Sequence, residues 1–224
     1  MAELDLEAFL NKPIYCLDVI GLLVDVEDFL ELSEENIETQ KAHELRLALG
    51  TVILEDDESL QNQFRGHLIE NANYRFDVSL SQRVRYAGLT ALITTVDWCV
   101  LRFQRQLTFT LPETPRKKNT TAHVLSVLNE KACLPYAGEI EDFERLIHVR
   151  NCIVHAAGIL DSYEHKGSLR DTIDLLDGIS LSDENFLGLS VAIDKSALPS
   201  RIRKMKNWLP SIDEQCTNLG LLVK

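Results

Sequence analysis

Residues 139–158 read EIEDFERLIHVRNCIVHAAG. Apolar residues recur at three- and four-residue spacing, which marks one face of an α-helix. Gly158 stands where a helix over 139–157 would end. With residues placed about 100° apart around the axis, Phe143, Leu146, Ile147, Ile153, Val154 and Ala157 all fall within about 60° of Arg150. Arg150 is therefore expected at the centre of the apolar stripe. A guanidinium cannot shed its proton there, so it needs an anion or a route to water. A second misplaced charge, Asp97, lies in the middle of another apolar helical stretch. Two readings follow. Either Arg150 and Asp97 form a structural salt bridge, or Arg150 points into a cleft and binds a phosphate.

The polar side of the same helix carries Glu144, His148, Asn151 and His155 as one ridge. Asn151 and His155 are neighbours across one turn. His155 lies in the last turn, where the helix dipole favours a cation, and an imidazole there can act as base or acid near neutral pH. His148 and His155 are two turns apart, roughly 10 Å, too far to share a metal. No metal site and no cofactor site is read from the sequence. On a regular helix His155 sits about 140° from Arg150. The two converge on one phosphate only if the helix loosens near Ala156-Ala157-Gly158 or a second subunit completes the site.

The rest of the chain reads outward from this helix as a mainly α-helical bundle with a small hairpin. Pro13 opens a helix at about Ile14, with Leu17, Ile20, Leu23, Val24 and Phe29 as apolar positions. A separate helix is expected over 33–54 with Ile37, Leu45, Leu49 and Val52, then an exposed acidic run at Glu55-Asp56-Asp57-Glu58, then helix over 59–69. The most apolar helix starts near Leu80, capped by Ser79 or Ser81. It runs through Tyr86, Leu89, Leu92, Ile93, Val96, Trp98, Cys99, Val100, Leu101 and Phe103, apolar nearly all round and hence central. Residues 111–119 form a loop, and Thr120 or Thr121 caps a helix to about Lys131. A polar linker follows Gly158. Residues 179–182 and 186–190 alternate around Asp183-Glu184-Asn185 as a β-hairpin. A final helix from about Ala197 passes Ile202, Met205 and Trp208, with Pro210 as a break or kink. The chain divides into an acidic helical segment, 1–78, and a core, 79–224.

The chain has 224 residues, 45% hydrophobic, with a net charge of −12. That charge argues against nucleic acid until its distribution is seen. Residues 1–60 hold sixteen acids against three bases, leaving the remainder near neutral. Arg102, Arg105, Arg116, Lys117 and Lys118 cluster against Glu113 alone. Lys195, Arg201, Arg203, Lys204 and Lys206 cluster with no acid between them. Such patches are either solvated faces or phosphate attractors. The five cysteines form no CxxC pair, which excludes a zinc ribbon or a dithiol redox motif. Four of them sit among apolar residues as small core side chains. No stretch of 18 apolar residues is free of charge, so no membrane span is expected. The acidic N-terminus is unlike a secretory signal, and a cytoplasmic location is expected.

The string Arg150-Asn151-Cys152-Ile153-Val154-His155 resembles the R-x4-6-H signature of the HEPN superfamily (higher eukaryotes and prokaryotes nucleotide-binding domains). Asn151 matches the polar residue that often follows the Arg. The apolar helix with Tyr86 and Asp97 is similar to that family's other core helix, and the hairpin and final helix to a common extension. The resemblance spans roughly residues 80–210. It implies a helical bundle of HEPN type that dimerises, bringing two motifs into one cleft, and a metal-independent endoribonuclease of a toxin–antitoxin, phage-defence or stress system. Carried over residue by residue, it implies that Arg150 holds the scissile phosphate, His155 acts as general base or acid, and Asn151 orients one of them. Asp97 is then a secondary polar member, and His148, Arg102 and Arg105 are counted as substrate-binding. A 2′-hydroxyl nucleophile explains RNA as substrate without a metal cluster. The partners implied are a second copy, RNA and a protein antitoxin or regulator. Ala157 stands where some members carry a Tyr modified by a partner enzyme, so that regulation is not implied. The alternatives are a non-catalytic protein- or nucleotide-binding module of the same type, and a helical regulator that uses its basic C-terminal helix on nucleic acid.

Overall fold

The first helix of the computed structural model, α1, spans Cys16–Thr51 without a break. Residues 16–51, 58–116, 118–185 and 187–222 are described. Ile14, Val52, Lys117, Phe186 and most of the acidic run at 55–58 lie outside them, as do the side chains of Leu17 and Glu58. The two helices expected over 14–54 are thus one, about 54 Å long. Ser33 does not start a new helix, because neither Gly nor Pro interrupts residues 22–49. The buried positions are Val19, Leu23, Val26, Leu30 and Glu34, a three- and four-residue seam. Val24 and Phe29, expected in the core, are exposed, because they fall on the two flanks of that seam, roughly 100–120° from its centre.

Helix α2, Glu58–Asn73, passes through a π-helical segment, Tyr74–Leu80, directly into α3, Ser81–Gln104. Neither Ser79 nor Ser81 caps α3, since there is no free helix end to cap. The Ser81 hydroxyl instead donates to the Phe76 carbonyl at 2.8 Å. The expected boundary at 78–79 falls inside this continuous run. Leu89, Leu92, Ile93 and Val96 of α3 are fully buried against α1, the helix Ala137–Ala156 and their neighbours. Trp98 and Leu101 are not core residues: Trp98 is 47% exposed and Leu101 42%. Gly88 lets α1 approach closely, as a Cβ there would lie 2.4 Å from Leu30 Cδ2. Among the described residues, Ser59–Gln104 is the helical run long and apolar enough to cross a membrane by length and composition alone. Within it Leu89, Leu92, Ile93 and Val96 face protein, while Leu60, Phe64, Ile69, Trp98 and Leu101 are exposed.

Helix α4, Thr120–Lys131, is capped by Asn119, whose side chain accepts from Thr121 N at 2.8 Å and Ala122 N at 3.2 Å. Neither threonine caps it. Helix α5, Ala137–Ala156, begins two residues earlier than expected and ends with Ala157 and Gly158, both at positive φ. The expected linker contains a short 3-10 turn, Leu160–Ser162, and a helix α6, Lys166–Ile173, which buries Leu169 and Ile173. Strand β1, Ile179–Ser182, lies where expected, but β2 is Ser190–Ile193 rather than 186–190. Ile179 pairs with Ile193 and Ser182 with Ser190. The shift places Val191 and Ile193 inside the core and leaves Leu187 exposed. Helix α7, Ala197–Asn218, runs through Pro210 without ending there.

The acidic α1 is held by cations from elsewhere in the chain. Glu34 meets Arg85 at 2.6 Å, Glu38 meets Lys195 at 2.6 Å, and Glu44 meets Arg75 at 2.8 Å. Glu27 pairs with both Lys206 and Arg203 of α7. Arg201 is buried on Asp142 and the carbonyls of Asp177 and Ala197. The basic cluster 195–206 is therefore largely neutralised within the molecule, which removes the main support for reading α7 as a nucleic-acid helix.

Of the described cysteines, Cys99, Cys152 and Cys216 are buried and Cys133 is exposed. Burial pushes the Cys152 and Cys216 thiols up to about 11. The thiolate is the reactive form. At pH 8 in native buffer Cys133 is therefore expected to be modified by a disulfide reagent well before Cys99, Cys152 or Cys216. Peptide mapping of the labelled protein checks that order.

Candidate functional site

Helix α5 rotates its buried face as it proceeds. Its first half buries Ile140, Phe143, Leu146 and Ile147, and its second half buries Val149 and Cys152. The apolar stripe on which Arg150 was expected to lie therefore ends at Arg150. Val154 is 52% exposed, Ala157 is exposed and Ile153 is half-buried. Arg150 sits at the rim of the core rather than at its centre. Its side chain is 22% exposed and that of Asp97 24%.

The salt bridge expected between these two is present, but it is thin. Arg150 Nη2 donates to Asp97 Oδ2 at 3.3 Å, longer than the 2.7–2.9 Å typical of charge-assisted bonds. Arg150 Nε and Asp97 Oδ1 are buried and have no hydrogen-bond partner among the described residues. A guanidinium offers five donors in a planar fork, and one of them is used here. The same Arg150 thus serves the structural reading in part and leaves donors for an anion.

Asn151 is half-buried, and His148 and His155 are exposed. None of the three side chains makes a hydrogen bond or ion pair to a described residue. Arg150, Asn151 and His155 lie in the last turn and a half of α5, which stays α-helical through Ala156, so Asn151 projects about 100° and His155 about 140° round the axis from Arg150. His148 projects about 160° from Arg150 and only about 20° from His155. Arg102 is in the last turn of α3, its guanidinium 4.9 Å from the centre of the Trp98 ring. Arg105 is the C-cap residue of α3 and is exposed. The structure thus brings Asp97 to Arg150, leaves Asn151 and His155 further round α5, and gives His148 and Arg105 no hydrogen bond or ion pair with them among the described residues.

Family models, curated proteins and solved structures provide no match to this chain.

A shallow apolar groove of about 770 Å³ runs along α3 beside this site. Ala87, Thr90, Ala91, Thr94 and Trp98 line it from α3, with Leu22 of α1 and Ile153 of α5. Sequence reasoning missed this face. Its signal was present, however, as small residues at three- and four-residue spacing in a helix that otherwise reads as core. Such a stripe admits a second backbone closely.

The end of α5 is fixed by the hairpin. Val191 N donates to the Gly158 carbonyl at 2.9 Å, Leu160 N donates to the Leu189 carbonyl at 2.8 Å, and Ile159 bridges Ser190. Tyr86 of α3 donates its hydroxyl to the Val191 carbonyl, and its ring packs on Gly158. Burial raises the pKa of that hydroxyl, so it stays a donor. Gly158 has φ +79°, and a Cβ there would lie 2.5 Å from the Tyr86 hydroxyl oxygen. Gly158→Ala is therefore expected to cost about 2–4 kcal/mol from left-handed strain plus overpacking. Urea unfolding monitored by circular dichroism measures it.

Proposed function

We propose that this chain is a metal-independent endoribonuclease of HEPN type, which acts in the cytoplasm as a homodimer in a toxin–antitoxin, phage-defence or stress system. What supports the reading is one observation above the others: Arg150 keeps a single long contact to Asp97, and Asn151 and His155, about 100° and 140° round α5 from it, have no hydrogen-bond partner among the described residues, so that a second copy completes the site from the exposed side of the helix. The groove along α3 gives a second copy a place to dock beside that side, so that two motifs face one strand of RNA.

In this account His155 takes the proton of a ribose 2′-hydroxyl, and the 2′-oxygen attacks the adjacent phosphorus. The bond to the 5′-oxygen breaks, leaving a 2′,3′-cyclic phosphate and a 5′-hydroxyl. The 5′-oxygen takes its proton from an imidazolium of the paired motif. Arg150 holds the non-bridging oxygens and stabilises their growing charge, and Asn151 orients the phosphate. Asp97 holds Arg150 in place. Arg102, above Trp98 at the groove, Arg105 and His148 extend the contact to flanking phosphates. A protein antitoxin or regulator would act by covering this side of α5.

The test is incubation of a mixed RNA in EDTA with the wild type, Arg150→Ala and His155→Ala. Cleavage by the wild type that both folded variants lose supports the proposal. Cleavage indifferent to both, or none by a folded wild type, supports the second reading. That reading is a non-catalytic protein- or nucleotide-binding module in which Arg150 serves the Asp97 pair, and the 3.3 Å contact favours it.

A further inference from the structure

Between the π-helical segment and the β-hairpin lies a second, deeper cavity, of about 290 Å³. We propose that it is a subsite for one unstacked nucleotide of a single-stranded RNA, with the phosphate on Arg83 and the base edge on Glu184 and Asn185. This deepens the ribonuclease reading and rests on it for the identity of the strand.

The volume is at the lower end of small-ligand pockets, about 300 Å³, and suits one nucleotide rather than a larger cofactor. One wall is the π-helical turn, which supplies Tyr74 and Ser79. π turns are rare and concentrate at functional sites. The other walls come from α3, the hairpin and the end of α5.

The polar groups divide into those already committed and those left over. Gln82 pairs with both backbone groups of Ile193, accepting from its N–H at 2.9 Å and donating to its carbonyl at 3.2 Å. Tyr86 is committed to the Val191 carbonyl. These bonds fix the hairpin to α3 and make that side of the cavity rigid. The side chains of Tyr74, Ser79, Arg83 and Glu184 are uncommitted among the described residues, and Asn185 uses only its carbonyl oxygen, on Leu187 N.

The uncommitted set matches a nucleotide group by group. Tyr74 is an exposed ring at the mouth on which a base can stack. Arg83 is exposed without an acidic partner and suits a phosphate. Glu184 is an acceptor-only carboxylate, which calls for a base edge that donates hydrogens. Guanine presents two parallel donors there and fits best. A bare phosphate is disfavoured because Asp77 and Glu184 both line the cavity.

The cavity lies beside the end of α5, near the proposed reaction site. Ala157, two residues beyond His155, lines it, and Tyr86 lines both it and the groove along α3. A strand leaving the Arg150 side therefore meets this cavity next.

The test is calorimetric titration of the full chain with each of the four nucleoside 5′-monophosphates, alongside Arg83→Ala and Glu184→Gln. Guanosine monophosphate is expected to bind most tightly. Glu184→Gln is expected to weaken it by at least about 10-fold while sparing uridine monophosphate. Arg83→Ala is expected to weaken all four alike. In RNA digests, Tyr74→Ala should flatten the base preference beside the cut. Binding without RNA cleavage keeps the subsite and overturns the ribonuclease reading. RNA cleavage without mononucleotide binding, and with a base preference unchanged in all three variants, overturns the subsite. Binding that all three substitutions leave unchanged overturns it too.

Discussion

Arg150→Ala and His155→Ala are each expected to lower RNA cleavage by about 10²–10⁴-fold. The two losses have different origins. His155 is exposed, so removing it deletes a proton-transfer group while leaving the core intact. Its variant should unfold at the wild-type temperature. Arg150 is half-buried over Asp97, so Arg150→Ala also strands a carboxylate whose Oδ1 is already unpaired. A modest loss of stability accompanies that variant, and Arg150→Ala combined with Asp97→Asn should restore it without restoring cleavage. Arg150→Lys keeps the charge but loses the planar fork, and should recover little activity. If the double variant cut RNA like the wild type, Arg150 would be a structural residue only.

The largest expected effect on stability is at Arg85. Its Nε and Nη2 donate to the two oxygens of Glu34 at 2.6 and 3.2 Å, and its Nη1 donates to the Ile193 carbonyl at 2.8 Å. One side chain thus joins α1, α3 and β2. Glu34 is 7% exposed, so removing Arg85 leaves a buried carboxylate without its partner. Breaking a buried pair from one side costs about 3–5 kcal/mol. Arg85→Ala should show that loss in urea unfolding at neutral pH. Replacing both members with apolar residues of similar size should recover most of it. Equal losses in the single and double variants would mean that the backbone contact to Ile193 matters more than the ion pair.

The elements readable from sequence were those with a repeating apolar spacing of their own. Helices α3 and α5 declare themselves through Leu89, Leu92, Ile93 and Val96 and through Phe143, Leu146 and Ile147. What was not readable depended on distant partners. Ser33 looks like a helix start, but with no Gly or Pro over 22–49 the helix runs on, and Glu34 beside it faces inward because Arg85, 51 residues away, meets it there. The hairpin's second strand is set at Ser190–Ile193 because Gln82 holds Ile193 across 111 residues. At 119–121, Asn119 outcompetes two threonines for one cap, a choice local composition leaves open.

The candidate site divides in the same way. The Arg150–Asp97 contact was legible because two charges stood on apolar helices with nowhere else to go. The uncovered side of α5 was not, because a fixed helical wheel assumes one buried face. Here that face turns from Phe143 toward Cys152, and Val154 is left in solvent. The groove along α3 escaped notice for a related reason: Trp98 reads as core by composition, and only the packing shows that among the described residues it is left 47% exposed, with Arg102 over its ring.

The most direct measurement is the chemistry of the ends left on an RNA oligonucleotide cut in EDTA. A matched oligonucleotide with a single 2′-deoxy residue at the cut position is treated alongside it. The account predicts 2′,3′-cyclic phosphate and 5′-hydroxyl ends by mass spectrometry, and no cut at the deoxy position. Ends carrying 3′-hydroxyl and 5′-phosphate, or an undiminished cut at the deoxy position, would contradict it.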